Sequence, residues 1–280
     1  MNFSSAGYIS SPRDGAVKFF AFAVLVLASV FAFVGVANAA TFYVSLDGSD
    51  SCDGTASVAS TTPTAPVGCA FATISYAVTT AITGDTINVA AGIYTEQLNV
   101  NKNNLTIIGA DGQSSIIQAP SGEFSSVRRL INLSGNGITF DGFQIVGNGK
   151  SDIVNYDGSY LGVRIEGYGI TVRNNTIRDL LTGIQTTSLN PITPNSILNN
   201  TISGVAVGIS LQNDGNTVTG NNITANDTGF GIASFNTTFA DNVINMTGEN
   251  GAEAKISGGA DPYKGSIQDG INAVNSGDTV

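Results

Sequence analysis

The 280-residue chain contains no histidine and no tryptophan, only two cysteines and seven prolines, and charged side chains make up just 11% of it. Each shortage excludes something. Without histidine the chain lacks the commonest general base and the commonest transition-metal ligand. Without tryptophan it lacks the usual sugar-stacking platform. Two cysteines cannot build a thiolate cluster; Cys52 and Cys69 instead read as one disulfide closing a surface loop. Basic residues are few, 11 against 21 acidic, which argues against nucleic acid and anionic membrane surfaces as partners.

What is present points to export and to β-structure. Residues 19–37, "FFAFAVLVLASVFAFVGVA", are unbroken apolar, follow Arg13 and Lys18, and run into the small-residue site "ANAA". This pattern predicts a signal peptide over 1–39, cleaved after Ala39, in preference to an uncleaved anchor, and hence a secreted or cell-surface location with no membrane insertion after cleavage. Loss of Arg13, Lys18 and Asp14 with that segment leaves nine basic and twenty acidic residues. Thirty-four glycines and abundant Asn, Thr, Ile and Val describe many short strands joined by tight turns. A low-complexity stalk would share this composition but not its regular apolar spacing.

That spacing is a repeat. The segments "ITVRNNTI", "NSILNNTI", "NTVTGNNI" and "TTFADNVI" align three columns: Val172, Ile197, Val218, Phe239; Asn175, Asn200, Asn221, Asn242; and Ile177, Ile202, Ile223, Ile244. Steps of 25, 21 and 21 residues hold in all three. A fourth column reads Gly162-Val163, Gly183-Ile184, Gly208-Ile209 and Gly231-Ile232. The period is too short for a βαβ unit, and the leucine framework of a leucine-rich repeat is missing. It predicts an all-β parallel β-helix with three short strands per coil, stacked about 4.8 Å apart so that equivalent residues become neighbours. Apolar columns then form a continuous core. Asparagine tolerates a left-handed bend, and stacked amides can hydrogen-bond along the axis.

Earlier in the chain, Phe71, Ile74, Ala77, Val78 and Ala81 lie at helical spacing, predicting an amphipathic helix over 71–83 that caps the solenoid, with Gly84 as its left-handed terminator. The helix-to-Gly-Asp-Thr design "TISYAVTTAITGDTI" returns as "SIQDGINAVNSGDTV" at 266–280. The expected organisation is a lead-in segment with the disulfide loop over 40–70, a capping helix and β-helix over 71–248, a linker over 249–263, and at 264–280 the start of a second cap, with further β-helix domains downstream. A helix capping the far end of the first solenoid is the alternative for 264–280.

The lead-in "TFYVSLDGSD…CAFATISYAVTTAITGDTINVAAGIYTEQLNVNKNNLTIIGA" and the repeats "NNTISGVAVGISLQNDGNTVTGNNI" resemble right-handed parallel β-helix proteins of the pectin-lyase-like superfamily, over essentially all of 41–248. The repeats are similar to those of carbohydrate-binding and sugar-hydrolase-type members and of NosD-like periplasmic proteins. These motifs specify a fold better than a chemistry. Gly92, Tyr94 and Glu96 match a Gly-x-Tyr-x-Glu element of pectin methylesterases, but the catalytic aspartate and arginine contexts of those enzymes are absent, so Tyr94 reads as structural. A polysaccharide lyase needs a base for the proton α to a uronate carboxyl and a cation to neutralise the acid. Its candidates are Arg164, Glu166 and Asp179, with Arg173 and Arg178 nearby. A glycoside hydrolase would draw on Asp141, Asp157, Glu166 and Asp179, whose spacings share no face.

A binding role asks for less. Inward Val163 and Ile165 put Arg164 and Glu166 outside. In following coils Gln185 and Ser210 continue the first position, Thr187 and Gln212 the second, and Tyr156, Tyr160 and Tyr168 flank the strip. "LDGSDSCDG" offers Asp47, Asp50 and Asp53 as calcium oxygens, without EF-hand spacing; an Asp/Gly turn is the plainer reading. The expectation is a secreted or surface scaffold, adhesin-like and non-catalytic, that binds extracellular or cell-wall polysaccharide. A polysaccharide lyase is the alternative, and a glycoside hydrolase comes after it.

Overall fold

The protein is described by a computed structural model covering residues 39–57, 67–120, 129–147, 161–187, 193–233, 237–248, 252–256 and 263–264. The predicted signal segment, most of the predicted second cap, Tyr156, Asp157 and Tyr160 lie outside these residues.

Three strand columns build a parallel β-helix. The first face is an eight-stranded sheet starting at Thr41–Val44 and Thr86–Val89 and ending at Thr217–Thr219 and Thr238–Ala240. The second begins with Gly92–Thr95, Ser115–Gln118 and Phe143–Val146, and the third with Leu98–Val100, Arg129–Leu133 and Leu161–Ile165. In the next three coils these two faces merge, because Thr176–Thr186, Thr201–Leu211 and Asn222–Ile232 each run through both as one 11-residue strand. The predicted register holds in the three columns. Val172 pairs with Ile197, then Val218 and Phe239 follow; Ile177, Ile202, Ile223 and Ile244 stack likewise. Most members are fully buried, so one core runs along the axis.

Asn175, Asn200, Asn221 and Asn242 form a ladder. Each backbone N–H and Nδ2 donates to Oδ1 of the next member at 2.9–3.1 Å. Nδ2 also donates to a first-face carbonyl, for Asn200 that of Val172 at 3.0 Å. The left-handed bend falls one residue earlier than expected, on Asn174, Asn199, Gly220 and Asp241, with φ between 54° and 68°. Two jobs expected of one asparagine are thus divided between neighbours: an exposed turn-former and a buried amide.

Three further expectations need correction. Ile209 pairs with Phe230, and Ser210 with Gly231, so the glycine column is completed by Gly229. The 21-residue step from Gly208 already points there. The predicted linker contains a strand, Ala252–Ile256, which adds to Thr228–Ile232 in parallel and continues the third face. The capping helix is shorter than 71–83, spanning Ile74–Thr80.

The helix is short because both ends are tied to the lead-in and first coil. Asp50 accepts from the N–H groups of Ala72 and Thr73, and the Thr73 side chain caps the N–H of Tyr76. Glu96 accepts from the N–H groups of Ile74 and Ser75, both at 2.9 Å. The first-turn donors are therefore satisfied by side chains. The helix stops at Ala81, in extended backbone. Gly84 is left-handed in the following turn, where buried Asp85 accepts from Ile82 N–H and Ala40 N–H. The Asp of Gly-Asp-Thr thus clamps the helix exit to Ala40, just ahead of the first strand. Ile74, Ala77 and Val78 face the core. Cys52 and Cys69 form the expected disulfide.

Candidate functional site

On the third face the alternation works as predicted. Val163 and Ile165 are buried while Arg164 and Glu166 stand outside, partly covered. Register then builds a line of outward polar side chains across five coils: Asn99, Asn132, Arg164, Gln185 and Ser210. At the coil spacing this line is about 19 Å long.

Its first half is a joined network. Asn132 Nδ2 donates to Asn99 Oδ1 at 3.0 Å and to Glu166 Oε2 at 3.1 Å. Arg129 donates to Asn132 Oδ1 at 3.0 Å and pairs with Glu166 Oε1. Arg164 Nε lies 3.0 Å from the same oxygen, an electrostatic pairing in which the Nε–H makes no hydrogen bond. Burial raises the Glu166 carboxyl pKa, but the Asn132 amide, the Arg129 charge and hydrogen bond, and the Arg164 charge together outweigh it and hold the group below the usual carboxylate range. The cluster therefore carries two guanidiniums around one ionised carboxylate. Arg129 and Asn132 were not among the candidate site residues singled out from sequence, since they lie one coil before the clear repeats, and Asn99 two. Thr187 is half-buried, Gln212 and Tyr168 are exposed, and Tyr168 sits on the turn just past Glu166.

The strip opens at the capped end into a cleft of about 360 Å³ between the helix and Leu98–Val100, lined in part by Asn99 and Lys102.

The other lyase candidates are dispersed. Arg173 pairs with Asp141 at 2.8 Å on the first face. Asp179 pairs with Arg178 at the bend before the third face, left-handed at φ 62°, and does not join Arg164 and Glu166. The acidic lead-in residues are also spent separately: Asp50 on the helix and Asp53 on Thr55 and Gly68. Hydrogen bonds from the Thr55 and Gly68 backbone lower the Asp53 pKa. Among the described residues no three His, Cys, Asp or Glu side chains gather as a metal site. Tyr94 is buried, its hydroxyl donating to the Ala90 carbonyl at 3.0 Å. Burial first, and the Glu96 charge second, push its pKa up to about 12.

That shift gives a pH prediction. A phenol with a raised folded pKa stabilises fully below its unfolded value near 10, and the contribution is lost as pH climbs toward 12. Absorbance titration at 295 nm should show one late-ionising tyrosine coincident with alkaline unfolding. Tyr94→Phe should remove that component; a late component that persists would assign it elsewhere.

Stacked coils of three parallel strands around one core define a right-handed parallel β-helix of the pectin-lyase-like superfamily. Within it the chain belongs to the family described as periplasmic copper-binding protein (NosD), whose family model matches residues 78–259. No curated protein matches significantly. Among solved structures, the chain is similar to pectin methylesterase PemA from Erwinia chrysanthemi at 14% identity, covering 78% of this chain and 70% of that one with a TM-score of 0.45. It is similar to Escherichia coli YbhC at 12% identity, with 70% and 65% covered and a TM-score of 0.46. A rhamnogalacturonan lyase matches at 13% identity, with 81% and 62% covered and a TM-score of 0.38.

The family description names copper, and the donor set here does not fit it. Protein copper sites draw on imidazole, thiolate and thioether. This chain has no histidine, both cysteines are joined, and Met246 packs against the core.

Proposed function

We propose that this protein is an exported, non-catalytic β-helix scaffold that binds polysaccharide along its third face. The observation that carries this reading is the registered line from Asn99 to Ser210, with Arg129 and Glu166 beside it. Amides, a hydroxyl and guanidiniums repeat there at one coil spacing, offering hydrogen bonds to successive units of an extended glycan, and Tyr168 adds an exposed ring at the edge. The disulfide and the periplasmic description of the family accord with an oxidising compartment.

Binding is favoured over elimination on one further ground. A lyase base must be open to the α-proton of its substrate, whereas the Arg164 guanidinium is engaged with Glu166, its Nε 3.0 Å from the carboxylate oxygen.

Residues 40–280 should be retarded in affinity gels containing the right member of a panel of neutral and acidic polysaccharides, with and without calcium. Size-exclusion chromatography of the incubated polymers should show unchanged lengths. Arg164→Ala should weaken retardation about tenfold, as loss of a charged hydrogen-bond donor does, with no change in melting. Shortened polymer would replace this reading with an enzymatic one, and absence of retardation across the panel would remove it.

A further inference from the structure

The cleft beneath the capping helix has a chemistry distinct from the strip it joins. Ser75, Val78 and Thr79 line its helix side; Val78 and Leu98 are all but buried, the Ser75 hydroxyl donates to Glu96 and the Thr79 hydroxyl to the Ser75 carbonyl. Gln97, Asn99 and Asn101 line the strand side, and Lys102 closes one wall. None of its lining residues is acidic, and Glu96, bonded to Ser75, spends its carboxylate on the helix start. Lys102 makes no ion pair among the described residues. Asn99 Oδ1 is spent on Asn132, which leaves its Nδ2 as a donor.

An ammonium without an ion pair among the described residues, the Asn99 and Asn101 amides beside it and about 360 Å³ of space suit one pyranose ring bearing a carboxylate. The Asn99 and Asn101 amides match ring hydroxyls, and Lys102 supplies the counter-charge. We infer that this cleft is a sugar-acid subsite that takes the terminal acidic residue of a glycan lying along the third face. The inference rests on the binding role proposed above and adds to it an end point and a charge requirement. The Asn99–Asn132 hydrogen bond connects the two, since Asn99 belongs to both cleft and strip.

The probes are glucuronate, glucose and acetate, titrated into residues 40–280 by isothermal calorimetry and by amide chemical shifts. Glucuronate should bind and perturb the amides of Asn99 and Lys102, while glucose and acetate at the same concentration bind at least about tenfold more weakly, each lacking half of the recognition. Lys102→Met should weaken glucuronate about tenfold, and Lys102→Arg should restore most of it, with equal melting temperatures for all three proteins. The amides of Arg164 and Gln185, in the strip, should not shift with glucuronate. Equal affinity of Lys102→Met and the parent protein, or equal binding of glucose and glucuronate, would overturn the subsite. Shifts of the Arg164 and Gln185 amides in place of those of Asn99 and Lys102 would overturn it too, by moving the sugar to the strip. Retained retardation of long polysaccharide beside failed glucuronate binding would reject the subsite alone; loss of both would reject the binding role itself.

Discussion

Asn200→Ala should cost about 4 kcal/mol of unfolding free energy, the largest loss from a single truncation in this solenoid. The side chain is buried and serves four groups on buried residues. Its Oδ1 accepts from the N–H and Nδ2 of Asn175, and its Nδ2 donates to the Val172 carbonyl and to Asn221 Oδ1. Alanine leaves the Asn175 N–H and the Val172 carbonyl without these partners, each worth about 1–3 kcal/mol when buried and unsatisfied. Because each coil is stabilised through its neighbours, the damage spreads to the coils on either side. Urea denaturation followed by circular dichroism measures the loss. Asn200→Asp separates the two roles: it keeps the acceptor for Asn175 but, when ionised, buries a charge and cannot donate to Val172. Its stability should therefore improve as the carboxyl is protonated. A loss under about 1 kcal/mol for the alanine variant would show that the ladder is dispensable.

The second large effect is steric. A Cβ on Gly183 would sit 2.6 Å from the Gly208 carbonyl oxygen and 2.6 Å from Ile202 Cγ2. The same approach recurs at Gly162 and Gly208, so the backbones of successive coils touch where no side chain fits. Gly183→Val should cost about 4 kcal/mol or more, since the obstacle is backbone of the next coil and cannot rotate away. It should also reduce polysaccharide retention, because Gln185 of the binding strip lies on the same strand. Gly231→Ala is the control. The nearest atom to its Cβ is 3.7 Å away, and its φ is not left-handed, so it should melt within about 0.5 kcal/mol of the parent. Equal penalties at the two positions would mean that the register places the wrong glycine in the column.

That contrast also shows where the sequence is informative. Fold and register were legible because they are written redundantly: three columns keep the same steps, and each column has one physical job. The glycine column failed at its last member because Gly229 and Gly231 both stand in "GFGI", and composition cannot tell which approaches a neighbour. Asn174 and Asn175 were confused for a similar reason, two asparagines side by side with different duties. The strip was partly legible, since strand alternation sent Arg164 and Glu166 outward. Arg129 and Asn132 escaped notice because their coil departs from the repeat, and only pairing brings them beside Glu166. The Gly-x-Tyr-x-Glu match had a definite meaning of another kind: Glu96 holds the helix start and Tyr94 fills the core. The cleft was illegible because its walls are far apart in sequence, from Ser75 to Lys102.

The asparagine ladder has a direction. Every Oδ1 in it receives from the N-terminal side, from Phe143 N–H through Asn242, while each Nδ2 as far as Asn221 gives one proton forward to the next Oδ1 and another back to a carbonyl of the preceding coil. A chain assembled this way can lengthen or shorten only by whole turns, because a partial turn would leave one amide facing a residue that cannot answer it. The loops between faces are free to differ, as the unequal steps of 25 and 21 residues attest. The protein is thus graduated like a ruler: evolution can change its length by duplicating marks, while the spacing between marks stays fixed by hydrogen bonds.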